Sequence, residues 1–207
     1  MESEIIIVGI GRNTGVTVEL AELCGFAVKG LLHYDVELTN TEKWGYSVLG
    51  QTDDFISNNI SRMNFALSIG DNKVRTENYQ KIIRKGGRFP TLIHPTATVS
   101  RFAAIKEGVQ VHANSTIQAD VSIGSNTIIS FGVGITHSVI IDENCYVAGH
   151  SIVGAYTQIG KNVFIGMGST IISGKVPEIG NNAIIGAGSL VTKRVRENSN
   201  IFGRPAK

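Results

Sequence analysis

The sequence predicts a small parallel α/β domain followed by a parallel β-helix of hexapeptide coils. Two patterns predict this architecture: strand-like and helix-like segments alternate over the first ninety residues, and an aliphatic residue then recurs at every sixth position. Glycine contributes 24 of 207 residues, and charged residues make up only 17% of the chain. Soluble domains average about 7% glycine and about 25% charged residues. This composition fits a turn-rich fold and excludes a helical bundle or a disordered chain.

The first ninety residues contain three predicted strands. Residues 4–10 form a continuous apolar run typical of a buried strand, and residues 25–32 and 64–69 are also predicted as strands. A helix is expected after the first strand, and a polar helix at residues 72–85. Because strand and helix alternate, we predict a Rossmann-like parallel sheet.

A glycine-rich loop follows the first predicted strand. Gly9, Gly11 and Gly15 have the spacing G-x-G-x-x-x-G, one residue longer than the dinucleotide-binding fingerprint. Backbone amides that open a helix favour a phosphate or diphosphate, and Asp35, at the end of the second strand, could hydrogen-bond a ribose or a base. The loop alone leaves nucleotide binding and a plain tight turn both open. The small sheet disfavours binding of a whole NAD.

A six-residue repeat fills the rest of the chain. Ile or Val occupies fourteen successive positions six residues apart, from Ile93 to Ile171, and small or β-branched residues stand two positions before them. Neither a helix nor a half-buried strand has this period. It predicts short parallel strands stacked in coils. The turn signals Gly86-Gly87 and Pro90 place the domain boundary so that the domains span residues 1–90 and 91–207.

Charge, cysteine content and hydropathy limit the function. A formal net charge of +2 gives no argument for nucleic-acid binding. Two cysteines, Cys24 and Cys145, cannot form a disulfide framework and fit a reducing compartment. The first apolar run is too short to span a bilayer. We therefore expect a cytoplasmic protein without a membrane span.

In combination, several segments resemble bacterial sugar acetyltransferases of the left-handed β-helix superfamily. They are the glycine loop with Asp35, Ser68–Arg75, Leu92–Ser100, the hexads and the closing Phe202–Lys207. That family joins a nucleotide-sugar-binding α/β domain to a left-handed β-helix. It includes N-acetyltransferases acting on UDP- or dTDP-linked 4-amino-4,6-dideoxy sugars, and sialic-acid O-acetyltransferases. The resemblance implies a left-handed β-helix, acetyl-CoA as cosubstrate, no metal, and a homotrimer whose active sites lie between subunits.

The resemblance also implies site residues. The family's general base is a histidine in the motif aliphatic-x-His-acid, which matches Ile135–Ser138 and gives the role to His137. Ser138 replaces the acid that usually orients the ring, and Asp142 and Glu143 are acids nearby in sequence. The implied nucleotide-sugar contacts are Gly11, Asn13, Thr14, Gly15, Asp35, Ser68 and Gly70. The implied coenzyme A contacts are Tyr146, Ala155, Met167, Ala187 and Lys193.

The expected reaction is acetyl transfer from acetyl-CoA to the 4-amino group of a UDP- or dTDP-linked 4-amino-4,6-dideoxy sugar in surface-glycan biosynthesis. Three alternatives remain open. The chain could be a sialic-acid O-acetyltransferase, or a non-catalytic scaffold, which the serine at position 138 favours. The third alternative is a zinc carbonic anhydrase with His112, His137 and His150 as ligands. Such zinc sites include a closely spaced histidine pair, which this sequence lacks.

Overall fold

The computed structural model describes residues 3–207 and divides after Leu92 into two units of different architecture. The first unit contains five strands, three α-helices and a 3₁₀ turn. The strands are β1 Ser3–Val8, β2 Phe26–His33, β3 Glu42–Lys43, β4 Tyr46–Gln51 and β5 Asn64–Leu67. The helices are α1 Thr14–Leu23, α2 Thr52–Ser57 and α3 Asn72–Arg84, with the 3₁₀ turn at Val36–Leu38. Sequence analysis did not predict β3, β4 or α2.

Strand β1 is buried on both of its faces. Ile5 and Ile7 pack into one core with residues of α1, and Ile6 and Val8 pack into a second core with residues of α2 and α3. All four side chains are at most 1% exposed. A central strand covered by helices on both sides explains the unbroken apolar run in the sequence.

The order of the strands in this sheet is β3-β4-β2-β1-β5. Strands β4, β2, β1 and β5 are parallel, and β3 pairs antiparallel with β4. The chain proceeds in one direction from β1 to β2 and β4, and then crosses to the other side of β1 to add β5. A crevice outside the carboxyl ends of β1 and β5 therefore lies at the topological switch point, where open α/β sheets bind ligands.

The β-helix contains eighteen two-residue strands, β6 to β23, of which the first begins at Leu92, the last residue of the first unit. They are β6 Leu92–Ile93, β7 Thr98–Val99, β8 Ala104–Ile105, β9 Gln110–Val111, β10 Thr116–Ile117, β11 Ser122–Ile123, β12 Ile128–Ile129, β13 Gly134–Ile135, β14 Ile140–Ile141, β15 Tyr146–Val147, β16 Ile152–Val153, β17 Gln158–Ile159, β18 Phe164–Ile165, β19 Thr170–Ile171, β20 Glu178–Ile179, β21 Ile184–Ile185, β22 Leu190–Val191 and β23 Asn200–Ile201. Successive strands alternate among three parallel sheets, which makes a triangular coil.

We number the faces of this triangular prism by their strands. The first face holds β6, β9, β12, β15, β18, β21 and β23; the second holds β7, β10, β13, β16, β19 and β22; the third holds β8, β11, β14, β17 and β20. The first corner joins the first face to the second, as at residues 130–133. The second corner joins the second face to the third, as at residues 136–139. The third corner joins the third face to the first, as at residues 142–145.

One aliphatic residue of each strand points into the prism. Ile117, Ile135 and Val153 pair in register eighteen residues apart and are at most 1% exposed. They belong to a continuous core that includes the small residues standing two positions earlier in each hexad. The six-residue period in the sequence therefore arises because each strand of the coil buries one aliphatic side chain.

Corner residues in the left-handed backbone region form columns along the prism. At the third corner these residues are Gly108, Asn126, Asn144, Asn162, Asn182 and Asn198. The Nδ2 of Asn126 donates to Asn144 at 2.8 Å, and Asn182 donates to Asn198 at 3.0 Å. Glycine and asparagine tolerate positive φ better than other residues, so these columns explain the residue types at the corners.

No helix within residues 3–207 combines the length and the apolar character needed to cross a membrane.

A buried histidine sits at the first corner. His112 follows β9 and is 8% exposed, and its Nε2 makes no hydrogen bond to any residue that the structure describes. Burial and, to a smaller extent, the charge of His94 lower the pKa of His112 to about 4. Burial disfavours the imidazolium, so the folded chain holds His112 neutral.

This burial predicts an acid-dependent loss of stability. Below pH 6.5, the ordinary pKa of histidine, the unfolded chain binds a proton that folded His112 does not bind. We expect the free energy of unfolding to fall by about 3 kcal/mol between pH 6.5 and pH 4 from this residue alone. Urea unfolding over this range measures the fall, and His112→Leu should remove it.

His150→Asn, which replaces an exposed histidine at the same corner, is the control and should keep the acid-dependent fall. An unchanged pH dependence in His112→Leu would contradict the assignment to His112.

Candidate nucleotide cleft and acetyl-transfer site

A cleft of about 480 Å³ opens at the carboxyl ends of the parallel strands of the first unit. Loops after β1 and β5 form one side, and the ends of β2 and β4 with residues of α2 and α3 form the rest. The lining residues are Val8, Gly9, Ile10, Gly11, Arg12, Asn13, His33, Tyr34, Gln51, Thr52, Asp53, Ser68, Ile69, Gly70, Val74, Asn78 and Lys81. The cleft thus lies at the topological switch point of the sheet.

Two buried hydroxyls fix the glycine loop. The Thr14 hydroxyl accepts from the Gly11 N–H at 2.8 Å and lies 2.9 Å from the Ser68 hydroxyl. Ser68 in turn donates to the Gly9 carbonyl at 2.7 Å. These bonds tie the loops after β1 and β5 together, so the backbone that faces the cleft is held in place before any ligand arrives.

Two glycines of this loop have different constraints. Gly9 has φ +101°, and a Cβ there would lie 2.8 Å from Ile69, so only glycine fits. Gly11 has no such backbone constraint, and nothing lies within 4 Å of the place a Cβ would take. The open space beside Gly11 allows a ligand to approach the backbone at the start of α1, where the helix dipole favours negative charge.

The structure brings together four of the seven predicted nucleotide-sugar contacts: Gly11, Asn13, Ser68 and Gly70 line the cleft. Thr14 is fully buried beneath the loop, where it positions backbone. Gly15 faces the Trp44 indole, since a Cβ there would lie 3.1 Å from its Nε1.

Asp35 is not among the residues that line the cleft. Its carboxylate accepts from the Glu37 N–H at 3.0 Å and caps the 3₁₀ turn that follows β2. A short polar side chain commonly caps in this way. The expected contact of Asp35 with a ribose or base therefore lacks support from this arrangement, because the side chain is engaged in the cap.

Sequence reasoning missed the two aromatic residues at the end of β2. His33 is 6% exposed and lines the cleft, and its Nδ1 accepts from the Asp35 N–H at 3.1 Å. In the neutral ring the proton is then on Nε2, which is a hydrogen-bond donor. Tyr34, 79% exposed, lies with its ring centroid 4.2 Å from that of His33. Their position at the carboxyl end of a parallel strand was the available signal.

A charged pair from α2 and α3 borders the cleft. Lys81 lies 2.8 Å from Asp53, and both line the cleft. Val74, Asn78 and Lys81 stand three and four residues apart on α3, so one face of this helix forms the wall. Sequence analysis predicted α3 but not α2, which carries Asp53, and it did not single out these residues.

His137 lies at the second corner of the β-helix and is exposed. Its backbone N–H donates to the Gln118 Oε1 at 3.0 Å, and its Nδ1 lies 3.3 Å from the Ser138 hydroxyl. The Tyr156 ring, from the next coil, packs edge-on at a centroid distance of 5.2 Å. Neighbouring coils therefore hold the residue from both sides.

Within the part of the chain that the structure describes, no acid beside the His137 ring replaces the one missing at position 138. Within residues 3–207 no carboxylate lies within 4.0 Å of a His137 ring nitrogen. Asp142 and Glu143, the acids nearby in sequence, stand at the third corner, and Glu143 pairs with Lys161 at 3.0 Å. This hydrogen bond raises the pKa of Lys161. The two acids therefore lie at a different corner of the prism from His137 and do not replace the missing acid.

The predicted coenzyme A contacts divide between two corners. Ala155 and Lys193 share the second corner with His137, whereas Met167 and Ala187 lie at the first corner and Tyr146 on the first face. Met167 is 52% exposed. A single chain does not bring these residues together, because a whole face of the prism separates the two corners.

The zinc alternative has no geometric basis in the described part of the chain. His112 and His150 lie at the first corner and His137 at the second. Residues 3–207 contain no group of three or more His, Cys, Asp or Glu side chains placed to hold a metal ion.

Comparison with known proteins identifies both units. Residues 4–82 match the PglD N-terminal domain, and residues 102–137 match the bacterial transferase hexapeptide repeat. The first unit is thus a PglD-type N-terminal domain, and the second carries the hexapeptide repeat of bacterial transferases.

Solved structures agree over nearly the whole chain. A histidine-to-asparagine variant of perosamine N-acetyltransferase from Caulobacter crescentus, in complex with CoA and GDP-perosamine, is 28% identical, with 99% of this chain and 96% of that chain covered and a TM-score of 0.90. The acetyltransferase domain of PglB from Neisseria gonorrhoeae, in complex with acetyl coenzyme A, is 25% identical, with 100% and 99% covered and a TM-score of 0.90. WeeI from Acinetobacter baumannii, 22% identical with 99% of both chains covered and a TM-score of 0.87, shows the fold alone.

These findings confirm the predicted resemblance to bacterial sugar acetyltransferases and the predicted fold class, a small N-terminal α/β domain followed by a left-handed β-helix. The neighbours also support the predicted enzyme class, an acetyl-CoA-dependent sugar N-acetyltransferase.

The open space at Gly11 allows a direct test of the cleft. Gly11→Val adds a side chain at a position without a positive φ, and nothing lies within 4 Å of the place that its Cβ would take. We expect it to leave the melting temperature unchanged and to weaken nucleoside diphosphate binding by at least about tenfold, the usual effect of about 1.4 kcal/mol of lost contact. Calorimetry with UDP, dTDP, GDP and CMP measures the affinities.

Asp35→Ala is the matched control, because it removes a side chain that caps a turn outside the cleft. It should bind nucleotide like the unmodified protein. Weaker binding by Asp35→Ala together with unchanged binding by Gly11→Val would restore Asp35 as the nucleotide contact.

Proposed function

We propose that this chain transfers the acetyl group of acetyl-CoA to the 4-amino group of a nucleotide-linked 4-amino-4,6-dideoxy sugar. The observation that carries the proposal is the combination, in one chain, of a preformed cleft at a helix N-terminus with an exposed histidine held at a β-helix corner. Neighbours with the same two-domain fold bind CoA and, in one case, GDP-perosamine. The expected setting is surface-glycan biosynthesis in the cytoplasm.

We assign the two substrates to different domains. The first domain, residues 1–90, holds the nucleotide, with the diphosphate at the loop of Gly11 and Asn13 and the base beside Tyr34. An exposed tyrosine ring beside a cleft offers a stacking surface for a nucleobase. The second domain, residues 91–207, carries out the transfer. UDP or dTDP is the expected carrier, and the GDP-perosamine complex of a neighbour makes GDP the necessary third comparison.

His137 acts as general base in this mechanism. If the Nδ1–H donates to the Ser138 hydroxyl, the Nε2 lone pair is free to accept a proton. The neutral amine of the sugar attacks the thioester carbonyl, a C–N bond forms, and Nε2 takes the proton that the nitrogen loses. The C–S bond then breaks, and the coenzyme A sulfur leaves with a proton returned by the imidazolium. No covalent intermediate with the protein is needed.

We further propose that the active enzyme is a homotrimer. His137, Ala155 and Lys193 occupy one corner of the prism and Met167 and Ala187 another, so a groove between neighbouring subunits would unite the two sets. Exposed apolar side chains on the second unit supply surface that such contacts would bury; these are Phe102, Phe131, Ile140, Ile152, Met167 and Ile184. Cyclic assembly places a different corner of each subunit against its neighbour.

The base assignment predicts the kinetics of His137→Ala. We expect a loss of roughly 10²–10⁴-fold in kcat, the usual contribution of a positioned base, with little change in KM, since the proton moves in the transition state. The assay follows acetyl-CoA consumption with UDP-, dTDP- and GDP-linked 4-amino sugars and with free sialic acid. Asp142→Asn changes an exposed acid at the third corner, outside the proposed groove, and this control should keep full activity.

Other outcomes of this panel identify the alternatives. Turnover with sialic acid alone would make the chain an O-acetyltransferase, and no turnover with any acceptor would favour a non-catalytic scaffold. Full activity of His137→Ala would remove the assignment of the base.

The trimer proposal predicts complementation between inactive subunits. Light scattering should give about three times the chain mass of 22.2 kDa. If His137 and Met167 act at one site from different subunits, His137→Ala and Met167→Arg trimers are each inactive. Co-expression of the two variants in equal amounts should restore about one quarter of full activity, because random mixing leaves about that fraction of all sites intact. A monomer, or mixed trimers without activity, would contradict the shared site.

A further inference from the structure

Tyr156 occupies a backbone conformation that its residue type disfavours. It lies at the second corner with φ +65°, in the same column as Asp120, Ser138 and Gly174, which also have positive φ. Those three residues are small, whereas a bulky side chain in the left-handed region is an outlier. Such outliers concentrate at functional sites, where the surrounding structure maintains them.

The Tyr156 side chain contacts the proposed base. Its ring lies 5.2 Å from the His137 ring at an interplanar angle of 84°, the edge-to-face geometry that aromatic pairs prefer. Tyr156 is 63% exposed, so burial of its ring in the core does not account for its position.

His137 has few other restraints on its ring. Gln118 binds its backbone N–H and leaves the side chain free to rotate. Ser138 reaches Nδ1 at a long 3.3 Å, and no carboxylate in residues 3–207 lies within 4.0 Å of the ring nitrogens. Among the described residues, the Tyr156 ring is therefore the aromatic contact that limits rotation of the imidazole.

The first corner contains the same local geometry without the proposed base. His150 has φ +57°, and its ring packs edge-on against Phe131 of the preceding coil at 4.8 Å and 87°. In both pairs the residue with positive φ follows its partner by nineteen residues. The ring pair is thus a stacking arrangement that this β-helix forms twice, and the first corner provides a matched control for backbone effects.

We propose that Tyr156 is a positioning residue for His137, holding the imidazole in one orientation from the next coil. This inference rests on the proposed function, in which His137 is the base. Ser138 stands where the family motif has the orienting acid. The contact with the Tyr156 ring takes the place of that acid, and it acts through shape and contact instead of charge. The aromatic ring, and not the phenol hydroxyl, supplies it.

Three variants test the proposal. Tyr156→Asn removes the ring but tolerates the left-handed conformation, Tyr156→Phe keeps the ring and removes the hydroxyl, and His150→Asn removes the matching aromatic residue at the first corner. We expect Tyr156→Asn to lower kcat roughly 2- to 10-fold, which corresponds to the usual strength of an aromatic pair. KM for both substrates should not change, and Tyr156→Phe should retain full kcat. His150→Asn is the control for melting temperature and for the NMR spectrum only, because its corner belongs to the proposed groove between subunits.

The Tyr156→Asn melting temperature should stay within a few degrees of the unmodified protein, because relief of the left-handed strain offsets the lost ring contact. Equal losses of kcat in Tyr156→Phe and Tyr156→Asn would overturn the proposal in favour of the hydroxyl. An unchanged kcat in Tyr156→Asn, or a kcat loss that follows a fall in melting temperature, would also overturn it.

A second measurement does not depend on turnover. The ring current of Tyr156 should shift the imidazole C–H resonances of His137, which His137→Ala identifies in the histidine NMR spectrum. The shift should persist in Tyr156→Phe and His150→Asn and vanish in Tyr156→Asn. If the unmodified protein acetylates no acceptor, the proposed function fails, and this spectrum then decides the positioning contact on its own. A His137 resonance that is the same in all variants would show that the contact does not exist.

Discussion

The second unit depends on one constraint: each coil must bury one aliphatic side chain per strand in register with the coils before and after it. Ile117, Ile135 and Val153 show this register eighteen residues apart. The chain can then turn only at the corners, where residues in the left-handed region are required at regular intervals. Because the interior is fully committed to packing, side chains with chemistry are confined to the corners and outer faces. His137 is accessible to a substrate because it lies at such a corner and is exposed.

The first unit satisfies a different constraint with a similar consequence. Its central strand is buried on both faces, so only the ends of the strands remain for function. The hydroxyls of Thr14 and Ser68 use the interior beneath the loops to fix backbone, while Gly11 leaves its outer side open. In both units, therefore, buried residues determine where the backbone goes and exposed ones are free to contact ligands.

The sequence predicted most of the fold because its strongest signals report burial. A six-residue aliphatic period and an unbroken apolar run both reflect side chains removed from water. The site was less accessible, since its residues are selected by position at strand ends. Asp35 was chosen for being acidic at such an end, yet its carboxylate caps a turn, while His33 and Tyr34, directly before it, line the cleft. Lys81 and Asp53 depend on α2, which carries no strong periodic signal. Contacts between coils, such as that of Tyr156, cannot be derived from periodicity alone, because the period gives the column and not the direction of a ring.

In the proposed mechanism, Ser138 stands where the family motif has an acid, so the physical means of orienting His137 is different. A carboxylate orients an imidazole through a charge-assisted hydrogen bond and also favours the imidazolium. A hydroxyl at Nδ1 and a ring edge fix the direction of the imidazole through contact, with no net charge beside the ring. The orientation of His137 then depends on the stacking of two coils, and not on one residue beside the histidine. Under this proposal the rigidity of the β-helix contributes to the orientation of His137, since a shift between coils would move Tyr156 away from His137 while leaving both residues in place in the sequence.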